Sequence, residues 1–166
     1  MNKTMKKLLL ELLKDSKRSD RELAKVLGVS QATVSRMRNK LVTDGLIREF
    51  TVIPDFVKMG YEIMAITSVK VEESSILELE KKAKEYMTSK PNIIFAGGGA
   101  QGMGKNGVMI SLHKSYSDYS NFLTNHMVYW GDNIEEHFTI LVSLRERIVK
   151  PFSLRYIAQL EEASED

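Results

Sequence analysis

SDRELAKVLGVSQATVSRMRNKLVTDG, residues 19–45, decides how the front of this chain folds. Ser19 with Glu22 three residues on has the form of a capping box, so a helix is predicted to begin at Asp20. Leu23, Ala24 and Leu27 fall on one face of it, and Ala24 is small, as it must be where a second helix crosses closely. Gly28 permits a sharp turn with positive φ. Val29 is expected in the core and Ser30 at the N-cap of the next helix. In that helix Val34, Met37 and Leu41 are three and four apart and face inward. Gly45 ends it. Gln31, Ala32, Thr33, Ser35, Arg36, Arg38, Asn39 and Lys40 are left to face outward.

Two short helices joined by a tight turn, with short polar and basic groups along the second, make a helix-turn-helix, and the chemistry points to double-stranded DNA. Gln31, Ala32, Ser35 and Arg36 are expected near base edges, and Arg38 and Lys40 nearer phosphate. Ser30, Thr33 and Asn39 complete this face, and Arg18, Arg21 and Arg48 are further candidates for phosphate contact. An ordinary surface helical hairpin is the plainer alternative. It leaves unexplained a face with no acid between Gln31 and Val42.

Charge supports the DNA reading. The formal net charge of the 166 residues is +2, but it is unevenly placed. Residues 1–50 hold 12 Lys/Arg against 6 Asp/Glu, and the remainder hold 12 against 16. The basic excess travels with the helix-turn-helix, where phosphate neutralisation would use it. There is no cysteine, which excludes disulfides and thiolate metal sites and fits a reducing, cytoplasmic home. The first residues, MNKTMKKLLLELLKD, imitate a signal peptide only until Glu11 interrupts the apolar run. No stretch approaches the ~18 apolar residues of a membrane span.

Met5, Leu8, Leu9, Leu12 and Leu13 predict an amphipathic helix from about Thr4 to Lys14, giving a three-helix head. Leu46 to Ile53 reads as a strand or wing, so residues 1–53 form a DNA-binding domain. Residues 54–60, bracketed by Pro54 and Gly60, read as a linker. In residues 61–144 the period changes. Glu62 to Val71 alternates, and a helix follows with a capping box at Ser75 and Glu78 and a face of Ile76, Leu79, Ala83 and Tyr86. A short strand is expected over Asn92 to Gly97 and an alternating one over Gly107 to His113. Tyr116 to Tyr129 reads as a helix facing inward through Tyr119, Phe122, Leu123 and Met127, and Ile134 to Leu144 as the last strand. The order βαββαβ makes the fold class α+β, a winged-helix-like head followed by a ferredoxin-like unit. Alternation places Met64, Ile66, Met109 and Leu141 on the sheet's outer face, beside Ser68, Ser111 and Thr139. So apolar a face needs a cover. A second copy is the economical choice, and the C-terminal extension 145–166, read as a helix beginning at Pro151, is the alternative.

This organisation resembles the Lrp/AsnC family of leucine- and asparagine-responsive regulators. ELAKVLGVSQATVSRMRNKLVTDGLI in the head and FTVI after it carry the resemblance. The second half matches in element order more than in residues. The resemblance implies a dimeric or octameric prokaryotic transcription regulator with an amino-acid effector held between subunits. It places GGGAQGMGKNG, residues 97–107, at the effector site, with Gly99, Gly102, Gly104, Lys105 and Asn106 as candidates. Asn106 stands near the position of the family's aspartate, which weakens the case for an amino acid. A mobile hairpin loop is the alternative.

The same glycines satisfy GxGxxG, and Gly99, Gly104 and Lys105 satisfy GxxxxGK. Both motifs need a helix directly after the loop, and the alternating VMISLH follows instead. His113, His126 and His137 have no metal-ligand spacing, so neither metal nor cofactor is expected. Trp130 beside Gly131 reads as a packed turn residue. No catalytic arrangement is legible, and the protein is not expected to be an enzyme. The rival is a siroheme-decarboxylase-like enzyme, which has a similar two-domain design.

Overall fold

The computed structural model describes residues 2–71, 76–102, 104–146 and 148–164. They form two compact units, one of residues 1–53 with 150–166 and one of residues 54–149.

The first unit holds α1 (Lys3–Lys14), α2 (Asp20–Leu27), α3 (Gln31–Thr43) and the final helix of the chain, Arg155–Ala163. Met5, Leu8, Leu12, Leu23, Ala24, Val34 and Leu41 form its core, and Leu9, Leu27, Val29, Met37 and Ile47 pack around them. Leu10 is buried as well, outside that cluster. Lys6, Leu10 and Lys14 lie four apart on one stripe of α1. Lys6 pairs with Glu161 at 3.0 Å and Lys14 with Glu162 at 2.5 Å, so the last helix lies along that stripe, with Ala158 fully buried. The C-terminal segment, read from sequence as an extension behind the sheet domain, therefore packs into the head. Its helix begins at Arg155, four residues after Pro151. Leu46 to Ile53 is not a strand. The Ile47 amide bonds to the Leu41 carbonyl, and beyond it Phe50, Val52 and Ile53 are exposed. A strand needs a partner ladder, and among the described residues none is formed over 46–53.

The second unit opens with a compact turn where a linker was expected. Met59, Gly60 and Tyr61 amides bond back to Asp55, Val57 and Phe56, and the Asp55 carboxylate accepts from the Lys58 amide. The sheet follows, with β1 (Ile63–Val71), α4 (Ile76–Ser89), β2 (Ile93–Gly102), β3 (Lys105–His113), α5 (Tyr116–Trp130) and β4 (Ile134–Ser143). The final helix is α6. Strand order is β2-β3-β1-β4, antiparallel throughout, as βαββαβ requires. The Ser75–Glu78 capping box lies outside what is described.

Register corrects the sequence reading of the outer face. Ala65 pairs with Ser111 and with Leu141, and Thr67 pairs with Met109 and with Thr139. Paired residues share a face. Ala65, Thr67, Met109 and Ser111 are buried, and His113 on the same face meets Tyr119 and Phe122 of α5. Met109 and Leu141 thus belong to the helix side. Met64 and Ile66 do lie outward, but their neighbours are Leu112 with Val142 and Ile110 with Ile140. Phe95 beside Ile110 and Phe138 beside Ser68 extend the face, and both rings are about half exposed. The alternation within each strand was right, but the phase between strands needs the pairing itself.

The glycine stretch is corrected too. β2 continues through it, pairing Gly97 with Val108, Gly98 with Gly107 and Gly102 with Lys105. A bulge between Gly98 and Gly102 absorbs the surplus residues, where Gly99 has φ +77°. α5 meanwhile buries His126 and Trp130 beside Tyr119, whereas Phe122, Leu123 and Met127 are only half-buried.

Candidate nucleic-acid interface

The capping box at the start of α2 is present. The Glu22 carboxylate accepts from the Ser19 amide at 2.8 Å, and the Glu22 amide donates to Ser19 Oγ at 3.3 Å. The Ser19 hydroxyl, which donates to the Glu22 carboxylate at 2.7 Å, and then the Ser19 amide hold that carboxyl below the usual carboxylate range. Gly28 caps α2 with φ +67°, and the chain turns directly into α3. Ser30 caps α3, accepting from the Thr33 amide at 3.1 Å. The Ser30 and Thr33 hydroxyls also bond to each other at 2.8 Å, so both belong first to the cap.

The N-terminal turn of α3 carries no acid, leaving its partial positive charge uncompensated. Gln31, Ala32, Arg36, Asn39 and Lys40 are exposed, and Ser35 is half-buried. Ala32, Arg36, Asn39 and Thr43 make a stripe spaced by four, three and four. Arg36 Nε reaches back to the Ala32 carbonyl at 3.4 Å, so its guanidinium lies along the helix beside the small alanine. Arg21 and Arg48 are exposed.

Three further basic candidates are engaged within the head. Arg18 pairs with Glu11, whose carboxyl is held low by hydrogen bonds from Lys14 and then from Arg18. Lys40 pairs with Asp44 at 3.0 Å but stays mostly exposed. Arg38 does not face outward. It is one-fifth exposed and bonds to Asp20 and to the Arg18 carbonyl. The sequence reading put it on the outer face, although its spacing from Val34 and Leu41 is that of the buried stripe.

At the second candidate site the structure joins Lys105 and Asn106 to other strands of the sheet. Lys105 pairs with Glu136 of β4 and lowers that carboxyl's pKa. The Asn106 side chain bonds both backbone polar groups of Val71. Gly104, with φ +71°, lies in the hairpin turn between Gly102 and Lys105. Among the described residues no group of His, Asp or Glu is placed to hold a metal ion. No described helix is long and apolar enough to cross a membrane.

Residues 1–48 match a family of winged helix-turn-helix DNA-binding domains. Over 80 residues the chain is 38% identical to an uncharacterised HTH-type transcriptional regulator of Pyrococcus furiosus, covering 48% of this chain and 54% of that one. It is 32% identical over 81 residues to the HTH-type transcriptional regulator LrpA of Pyrococcus abyssi, covering 48% and 57%. The matches span about half the length of these curated relatives. A crystal structure of an AsnC family transcriptional regulator from Agrobacterium tumefaciens superposes with a TM-score of 0.77 at 22% identity, covering 92% of this chain and 94% of that one. In fold the chain is similar to that AsnC family regulator. The family model ends at residue 48, and the likeness to the solved structure extends over nearly the whole chain as architecture.

Proposed function

We propose that the chain is a sequence-specific DNA-binding transcription regulator, with α3 lying in the major groove. The observation that carries this is the exposed face of Gln31, Ala32, Arg36 and Asn39 on a capped helix with no acid in its first turn. The basic balance of residues 1–50 supports it through phosphate attraction. Likeness to transcriptional regulators favours this reading over the decarboxylase alternative. Gln31, Ala32 and Arg36 are the base-reading group, with Ser35 and Asn39 beside them. Arg21, Arg48 and Lys40 are the phosphate group.

The working form is a dimer joined through the outer sheet face of Phe95, Met64, Ile66, Ile110, Phe138 and Ile140. This face is continuous across four strands and carries half-exposed rings, which a soluble monomer rarely leaves bare. A dimer would present two heads to half-sites about 34–36 Å apart or a multiple of that distance. An effector at the β2–β3 hairpin would first have to displace Glu136 from Lys105 or Val71 from Asn106, so response to neutral amino acids is weak or absent. The cytoplasm is the proposed location.

The test is selection of genomic fragments by purified protein, followed by footprinting. Enrichment of a two-fold-related sequence supports the proposal. Fragments recovered without any shared sequence contradict it.

A further inference from the structure

Arg38 occupies a position where helical spacing asks for an apolar side chain. Val34, Arg38 and Leu41 are four and three apart on α3, and Val34 and Leu41 are fully buried. A charge on such a stripe has to be paired and hydrogen-bonded. Arg38 Nε donates to Asp20 Oδ1 at 2.9 Å, and Nη2 stands 2.7 Å from the same oxygen. Nη2 also donates to the Arg18 carbonyl at 3.2 Å. The guanidinium carbon lies 5.9 Å from the centre of the Phe50 ring. Asp20 is the first residue of α2, Arg18 lies in the connection from α1, and Phe50 lies in the segment leaving α3. One side chain on the proposed reading helix thus ties that helix to three other places in the head.

We infer that Arg38 is a positioning residue for DNA binding, which sets the angle of α3 against α2 and the outgoing segment and does not itself meet a phosphate. The inference rests on the DNA reading above. It goes beyond that reading, because any basic residue of this helix would otherwise be taken for a phosphate contact.

The two roles respond differently to substitution. A phosphate contact tolerates lysine, which keeps the charge. A clamp does not, because a lone ammonium lacks the planar fork that reaches Asp20 and the Arg18 carbonyl together. Loss of a phosphate contact lowers the salt slope of binding by about one, and loss of a clamp leaves it unchanged. Asp20 discriminates most sharply. Removing an acid beside DNA strengthens binding if only charge matters, and weakens it if Asp20 anchors the guanidinium.

The experiment uses the full chain as wild type, Arg38→Lys, Arg38→Ala and Asp20→Asn. Each is titrated by fluorescence anisotropy against a fragment selected by the wild type and against a random duplex. Salt runs from about 50 to 200 mM. Thermal melts establish that each variant is folded at the assay temperature, and Arg38→Lys and Asp20→Asn, close in size to the native residues, carry the test if Arg38→Ala is not. The expected result is a loss of about tenfold or more on the selected fragment in every variant. Binding to the random duplex changes less, and Arg38→Lys keeps the wild-type slope. Arg38→Lys with wild-type affinity, Asp20→Asn binding as tightly as wild type or tighter, or a slope reduced by about one in folded Arg38→Ala overturns the inference. A wild-type protein that selects no fragment overturns the DNA reading itself.

Discussion

Asn106 Oδ1 accepts from the Val71 amide at 2.8 Å while Asn106 Nδ2 donates to the Val71 carbonyl at 2.7 Å, so one side chain pairs with both backbone groups of one residue as a neighbouring strand would. β1 and β3 last pair through their backbones at Val69 and Gly107, and β1 shifts register against β4 at Lys70 and Val71. Asn106 continues the attachment where the ladder stops. Asn106→Ala removes both bonds and is expected to cost about 1–3 kcal/mol in chemical denaturation. Asn106→Asp keeps the acceptor but turns an oxygen toward the Val71 carbonyl, and is expected to destabilise as well. The occupied amide also implies that leucine gives no thermal shift. Tight leucine binding unaffected by Asn106→Ala would oppose this picture.

Gly107 is required by close approach. A Cβ there would stand 2.8 Å from Val69 Cγ2. Valine is stiff at χ1, so it cannot easily swing away. Gly107→Ala is expected to destabilise by about 1–3 kcal/mol, and Val69→Ala in the same chain to recover part of that loss. Melting temperatures of the two single variants and the double one decide the matter. Additive losses would mean that the alanine collides with something else.

How much was legible in the sequence follows from the range of each interaction. Ser19 with Glu22, Gly28 and Ser30 act over three or four residues, so the caps and the turn of the head could be read directly. The element order of the second unit followed from periodicity alone. Which faces of neighbouring strands coincide depends on pairing, and Met109 and Leu141 were accordingly placed on the wrong side. The glycines were read as a loop because their lack of side chains hides the strand period. Arg38 was misplaced because residue type outweighed spacing: Val34 and Leu41 mark its position as inward. Leu10 carried the same kind of signal, an extra apolar residue off the main stripe of α1, which pointed to a second partner along that helix.

Two buried histidines make stability sensitive to acid. His126 is almost fully buried, and burial pushes its pKa down to about 4, with His137 and Lys90 adding smaller effects in the same direction. Its Nδ1 lies 3.2 Å from the Tyr86 hydroxyl. Burial also lowers the pKa of His113, against a weaker opposing effect of Asp118. Below pH ~6.5 the unfolded chain takes up protons that the folded chain refuses. Stability from His126 is therefore complete above about pH 6.5 and is lost as pH falls toward 4, at about 1.4 kcal/mol per pH unit within that window. The midpoint of urea unfolding is expected to drop across this range, and His126→Phe to flatten the dependence. An equally steep dependence in His126→Phe would assign the effect to other groups.

The corrected sheet face gives a sharper test of assembly than the face read from sequence. Ile66→Glu with Ile140→Glu places charges on neighbouring outward residues and is expected to yield monomers in sedimentation with the secondary structure retained. Val108→Thr on the same face is expected to leave assembly unchanged. Wild-type protein that sediments as a monomer at micromolar concentration would contradict the proposed dimer.

The most direct measurement is the affinity of Gln31→Ala and Arg36→Ala for a fragment selected by the wild-type protein, compared base by base through single substitutions in the site. Each variant is expected to lose about 1–3 kcal/mol and to become indifferent to the base at one position, while other positions keep their preferences. Affinity and preference unchanged in both variants would contradict the placement of α3 as the reading helix.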